Sequence, residues 1–445
     1  METLKTTQQP EKYGLPTATT MVMGSIIGSG VFALPAALAQ YGPLSILAFI
    51  AVSLGAMALA VAFKIMYKRN PRSGGEYVFT RGAFGDFPGF LAAWAFWVSC
   101  WTAAAAVVTA FVGYVEVFIN KDHNPVGSIA IGLVGLWVPA LICISGVKNM
   151  GKVQFVLTLM KYVPLLILSV VGIFHLKSAN FGQFNPSGKS TFMAFIGACA
   201  VGIYSYLGIE ASTATADRIK DPHVNVPKSQ WIGIVLTAAL YLLSIVAVMG
   251  TVPHNQLVNS TAPFADSANN IFGGSWSGSV VALLACVSCF GLMVGWMLIT
   301  VEVPAEAAKD GIFPSFFGQY NEKGIPTKAI ILSTALASLL LIFAYTQFDK
   351  VFSTMVLLNV VVSVMPYIFA TVSELYLMSK EAKLGKQPLA FWKNVGIVAI
   401  ALFFSIMAFI GSGKDAIVAG LIAMALGIPV YYIQYKKTLS VQMSS

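Results

Sequence analysis

The chain has 445 residues, 57% hydrophobic and only 10% charged, with a net charge of +9 and a mean hydropathy of +0.78. Such a composition excludes a soluble domain with a polar surface. The positive charge is spread between apolar runs, which excludes a nucleic-acid partner.

Apolar runs of the length that crosses a hydrocarbon core recur from end to end. Twelve helical spans are predicted, at about 15–39, 43–66, 88–118, 126–146, 152–175, 191–215, 230–252, 276–303, 328–346, 351–378, 392–411 and 415–434. No stretch between them is long enough for a soluble domain. The expectation is a single all-α polytopic membrane domain over 1–445.

The first span carries "GSIIGSGVFALPAAL", with Gly24, Gly28 and Gly30, two serines and then Pro35. Glycine costs about 1 kcal/mol in a helix interior and proline about 3 kcal/mol. The span is too long and irregular for a signal peptide, and no small-residue cleavage site follows it. Irregular backbone at membrane depth is tolerated where it is buried in protein or lines a cavity, so the span is expected to form two halves that meet near the midplane. A second reading is a helix-packing surface, because Gly24 and Gly28 stand in GxxxG register.

Farther along, the basic residues alternate between the connections. Lys64, Lys68, Arg69, Arg72 and Arg81 follow span 2, Arg218, Lys220 and Lys228 follow span 6, and Lys380, Lys383, Lys386 and Lys393 follow span 10. The connections of opposite parity hold Lys121, Lys177, Lys189, Lys350 and Lys414. The asymmetry predicts that both termini lie in the cytoplasm. Lys161 lies about ten residues inside span 5, either as a functional cation or as a lysine snorkelling to an interface.

Five helices after the first break comes "GIYSYLGIEASTATADRIKDP", with Gly202, Gly208 and the intramembrane Glu210. Interrupted spans at corresponding places in two halves point to a transport site between inverted repeats. Freed carbonyls there suit an ammonium, and the N-termini of the outer half-helices suit a carboxylate. Burial of Glu210 would favour proton uptake and release; the alternative is a structural glutamate bonded to loop backbone. Glu302 and Glu306 sit near the cytoplasmic end of span 8, where solvation accounts for them. Cys100, Cys143, Cys199, Cys286 and Cys289 all fall within spans without metal-site spacing, so they read as packing residues. "GSGKDAI" lacks the first glycine of a phosphate-binding loop. No metal, cofactor or enzyme is expected.

Six motifs in order resemble the basic amino acid/polyamine antiporters of the amino acid–polyamine–organocation (APC) superfamily, and more closely its arginine/agmatine-exchanging members. They are "GSGVFALPAAL", "SGGEYVFTRGAFG", "YLGIEAS" with "DPHVNVPKS", "GWMLITVEVPAEAAKDGIFP", "VMPYIF" and "GSGKDAI". The resemblance implies a LeuT-like fold: a first repeat over about 13–176, an inverted second repeat over about 190–380, and two added helices over about 390–436. It implies a substrate site at Ser25, Ile26, Gly28, Ser29 and Gly30, with Tyr204, Leu207 and Trp296 around it. Phe96, Tyr204, Trp296 and Tyr367 match the family's gating aromatics.

Two departures bear on mechanism. Lys161 resembles the helix 5 lysine of proton-dependent, sodium-independent relatives, where an ammonium takes the place of Na⁺. Ala104 and Leu357 stand where the arginine-exchanging members supply polar side chains, and neither can hydrogen-bond a guanidinium. The expected substrate is therefore a neutral, aromatic or small amino acid, exchanged for its decarboxylated amine. The expected function is sodium-independent amino acid/amine or amino acid/amino acid antiport. Proton-coupled symport and a non-transporting amino acid sensor are the alternatives. The expected partners are this substrate and the lipid bilayer, with a second copy of the chain as a candidate.

Overall fold

The computed structural model describes residues 14–28, 30–70, 74–146, 150–209, 219–348, 350–385 and 390–444, and within these all side chains except those of 21, 25, 150–161, 222, 223 and 437–444. Among the described residues there are helices and turns and no strand. In chain order the helices are α1 (Leu15–Ile26), α2 (Gly30–Ala39), α3 (Leu44–Arg69), α4 (Glu76–Phe84), α5 (Asp86–Val115), α6 (Pro125–Ile144), α7 (Met150–Ile173) and α8 (Thr191–Ile203). They continue as α9 (Pro222–Thr251), α10 (His254–Leu257), α11 (Pro263–Phe272), α12 (Ser275–Lys309), α13 (Thr327–Gln347), α14 (Val351–Lys383), α15 (Phe391–Gly411), α16 (Lys414–Ala425) and α17 (Gly427–Ser444).

Nine helical stretches among the described residues are long and apolar enough to cross a membrane. Three shorter apolar helices, Gly30–Ala39, Tyr162–Ile173 and Thr191–Tyr206, fall inside the remaining predicted spans. Among the described residues the architecture is all-helical, with helices of the length and apolarity that hydropathy leads one to expect.

Burial orders the bundle. In α5, 83% of the apolar window is buried, and in α14 72%, so these two helices form its centre. In α15 the figure is 28%, and over Lys414–Lys436 it is 17%, which places those helices at the rim. The centre of α5 is a run of small residues, Ala103, Ala104, Ala105 and Ala106, all buried. Small side chains let α14 and α12 approach its backbone closely, which is how helices associate where lipid is as apolar as their surfaces. At 35 residues, α12 is about 50 Å long, well beyond a hydrocarbon core of about 30 Å. Its charged end, with Glu306, Lys309 and then Asp310, therefore stands clear of the apolar zone.

Candidate functional site

The first predicted break is present. After Ile26 the backbone leaves the helix at Ile27, with φ −75° and ψ 79°, and α2 begins at Gly30. The freed groups are satisfied locally. Ile27 N–H donates to Met23 O at 2.7 Å and Gly28 N–H to Ile26 O at 2.8 Å. The fully buried Tyr241 hydroxyl on α9 also donates to Ile26 O, at 2.9 Å. Ile26 O thus accepts two hydrogen bonds, and the one from α9 ties the break to the bundle.

The second break follows the same logic. α8 ends at Ile203, tightens into a 3₁₀ turn over Tyr204–Tyr206, and turns extended at Leu207, with φ −64° and ψ 136°. Gly208 then takes φ +97°, a conformation that favours glycine. Gln230 of α9 donates to Ile209 O at 3.3 Å, and Tyr206 shares a hydrogen bond of 2.7 Å with Ser53 of α3. One face of α9, residues 230 and 241, thus supports both breaks.

The two breaks meet. The Tyr204 ring lies against Gly30 so closely that a Cβ there would be 2.8 Å from its Cε1. On its other side Tyr204 meets Phe352 of α14 edge to face, at 6.2 Å between ring centres. This ring pair stands between two spaces. On one side lies a vestibule of about 440 Å³, lined by Phe352, Lys350, Glu116, His123 and Ser260 among others. Its Glu116 carboxylate is buried and accepts from Asn120 Nδ2 at 2.8 Å and from Ser128 Oγ, and it pairs with His123 Nδ1 at 2.6 Å.

On the other side lies a central cavity of about 30 Å³, bounded by Ile26, Gly28 and Gly30 of the first break and Tyr204, Ser205 and Leu207 of the second. Leu292 and Trp296 of α12 and Ala103 and Val107 of α5 complete its wall. Ser205 Oγ is buried without a hydrogen-bond partner, a costly arrangement that a polar ligand would relieve. Leu207, Trp296 and Ala103 also border an inner cavity of about 20 Å³, which continues to Ser99, Ser363, Phe96 and Tyr367. Trp296 is fixed by its Nε1–H, which donates to Cys100 O at 3.1 Å.

Behind the inner cavity α5 and α14 are tied by polar groups. The fully buried Asn359 donates to Ser99 O at 2.6 Å and to Thr102 Oγ1 at 2.8 Å. Ser363 Oγ donates to Asn359 Oδ1 at 3.3 Å, and Ser99 Oγ to Phe96 O at 2.7 Å. With their protons so engaged, both hydroxyls keep lone pairs with which to accept from a donor.

Of the residues predicted for the site, Ile26, Gly28, Gly30, Tyr204, Leu207, Trp296, Phe96 and Tyr367 border one or other cavity. Ala104 and Leu357 border neither; their neighbours Ala103 on α5, and Ser363 and Tyr367 on α14, do. Ser29 and Glu210 lie outside the described residues, as do the side chains of Ser25 and Lys161. Ser99, Cys100, Val107, Ser205, Leu292 and Asn359 were not foreseen. The α5 members follow a helical stripe, 96, 99/100, 103 and 107.

Trp296 separates the cavities, whereas Trp101 borders neither and packs beside Trp97, 6.5 Å away between ring centres. Trp296→Ala is expected to merge the two spaces and lower exchange by about tenfold or more, the scale of losing a buried aromatic wall. Trp101→Ala should leave exchange within about twofold, consistent with a residue outside the site. Proteoliposome exchange rates check this, and equal losses in both variants would remove the special role of Trp296.

Residues 13–431 match the family model described as Amino acid permease. The chain is similar to the putrescine transporter PotE of Haemophilus influenzae, 28% identical over 428 residues, which cover 96% of this chain and 98% of that one. It is similar to PotE of Escherichia coli, 28% identical over 424 residues, covering 94% and 95%. It is also similar to the cadaverine/lysine antiporter of Escherichia coli, 25% identical over 371 residues, covering 81% and 83%.

Proposed function

We propose, from the premise that this chain belongs to the amino acid permease family, that it is a secondary antiporter that exchanges an amino acid for an amine across a bacterial inner membrane. The observation that carries this reading is the meeting of two helix breaks on one cavity, with Ser205, whose buried hydroxyl has no partner among the described residues, in its wall. The carbonyl ends of α1 and α8 carry partial negative charge and suit an ammonium, while the N-terminus of α2 suits a carboxylate. The far end of the substrate reaches the inner cavity, where Ser99 and Ser363 present acceptors. A side chain or tail ending in an amine fits them, as in lysine, cadaverine or putrescine, the substrates in the relatives' names. This replaces the expectation of a neutral side chain, which rested on Ala104 and Leu357.

The twelve predicted spans form two inverted repeats of five and an added pair, with both termini cytoplasmic and the vestibule outside. The outward apolar surfaces of α15 and α16 face lipid or a second copy of the chain. Lys161 supplies the charge that sodium supplies elsewhere, and Glu210 the titrating carboxyl. Substrate draws the gating rings over itself and one group of helices rocks against the other. Exchange results because the carrier reorients when loaded.

The test is counterflow in proteoliposomes. Labelled putrescine or cadaverine should enter vesicles preloaded with lysine or ornithine, should not enter empty ones, and should enter equally fast when choline replaces sodium. Uptake into empty vesicles under a pH gradient would replace antiport by symport. Binding without flux would make the protein a sensor, and sodium stimulation would remove the role given to Lys161.

A further inference from the structure

Two ion clusters occupy the end of the bundle where α3 stops, and they join different elements. In one, Arg81 of α4 donates to Asp86 Oδ1 at 2.7 Å and to Asp310 Oδ2 at 2.6 Å, and Tyr77 Oη donates to Asp310 at 3.3 Å. This cluster joins α4 to the start of α5, on which α4 packs, and to Asp310 just past the end of α12, which also packs on α5. In the other, Arg69, the last residue of α3, reaches across to α14. Its Nε donates to both Glu374 oxygens, at 3.1 and 3.0 Å, and its Nη2 to Glu374 Oε1 at 2.8 Å. The remaining edge of the guanidinium binds Glu381, Nη2 to Oε2 at 3.1 Å and Nη1 to Oε1.

Glu374 and Glu381 are seven residues apart on one face of α14, and Tyr367 lies seven residues before Glu374 on that same face. Tyr367 borders the inner cavity and meets Phe63 of α3 edge to face at 5.3 Å between ring centres. The same two helices therefore cross the route from the inner cavity to this end of the bundle twice, first with a ring pair and then with an ion group.

We propose that Arg69 is a latch on the inner gate, a positioning residue that holds α3 against α14 while the site is closed on this side and parts from Glu374 when substrate is released there. The Glu374 side chain is only 2% exposed and that of Arg69 27%. A carboxylate so buried is stable when clamped by a guanidinium or when hydrated in an open gap, and unfavourable between the two. That makes the contact a two-state element rather than a sliding one. The Arg81 cluster has no such position, because it bridges helices on one side of the route. The proposal rests on the reading that this protein is an exchanger with this face in the cytoplasm.

Cys100 borders the inner cavity and serves as a native reporter. A membrane-impermeant thiosulfonate is added to inside-out vesicles, with Cys100→Ala setting the background. Arg69→Gln, and separately the isosteric Glu374→Gln, should raise the rate of Cys100 labelling about tenfold, the effect of biasing a two-state gate by one factor of ten in its equilibrium. Arg81→Gln should label at the wild-type rate. Labelling no faster in either latch variant, or equally faster in Arg81→Gln, would overturn the latch. Faster labelling confined to right-side-out vesicles would keep the latch and reverse the assignment of faces. The readout needs no transported substrate, so a failure of the antiport reading would show in counterflow and not here.

Discussion

Gly30→Ala is expected to lower exchange by about one to two orders of magnitude while the protein remains folded, the scale of overpacking a tight contact. The reason is local. The added Cβ would lie 2.8 Å from Tyr204 Cε1 and 3.1 Å from Cδ1, and the ring, pressed from the far side by Phe352, has nowhere to move except out of the closed position. Gly28→Ala provides the contrast. Its Cβ would meet the terminal Cδ2 of Leu292 at 3.2 Å, a methyl that yields by rotation, so a loss of only a few-fold is expected. Gly28→Leu is different again, because the whole side chain must enter a cavity of about 30 Å³; substrate binding should vanish. Exchange rates and thermal stability of purified protein check the series. Equal tolerance of alanine at both positions would remove the contact between the breaks as the outer closure.

Asn359 carries the second large effect. Asn359→Ala strips Ser99 O and Thr102 Oγ1 of a donor and Ser363 of an acceptor. Ser99 O keeps the Thr102 hydroxyl as a donor, and that hydroxyl keeps its bonds to Val98 O and Ser99 O. The cost is therefore that of the lost cross-helix bonds, about 1 kcal/mol each, and the join between α5 and α14 loosens. A marked fall in melting temperature is expected, together with a loss of amine binding of about tenfold or more from a disordered pocket. Asn359→Asp separates shape from hydrogen bonding, since a carboxylate of the same outline cannot donate to Ser99 O. It should fail like the alanine variant. Wild-type binding by Asn359→Asp, measured calorimetrically with putrescine or lysine, would show that the network has no part in forming the inner cavity.

The sequence announces some of this architecture clearly and conceals the rest for a physical reason. Glycine clusters joined to proline or an acidic residue, recurring five helices apart, favour interruptions over a packing surface, so the stretches around Gly28 and Gly208 were legible. The positions of nine long spans among the described residues were legible because length and apolarity decide them. The facing of α5 was not. Nearly all of its surface is buried, so no polar side distinguishes the stripe at 99/100, 103 and 107 from the position at 104 next to it. On α14 the same ambiguity hid Asn359 and Ser363 behind Leu357. The supports of the breaks, Tyr241 and Gln230, were also hidden, because a tyrosine or glutamine in a span reveals its role only once a distant carbonyl is placed beside it.

The vestibule has a kinetic consequence. An amine that slips past Tyr204 on its way out does not enter bulk solution at once but a space of about 440 Å³. One molecule held there is at about 4 M, an effective concentration far above that of the surrounding fluid. The Tyr204–Phe352 ring pair, worth about 1 kcal/mol, stands between it and the site it has just left. Recapture will therefore compete with escape at every turnover. Tracer swapping across the ring pair should outrun net delivery, and a bulky solute lodged in the antechamber should slow escape without ever reaching the chamber beyond.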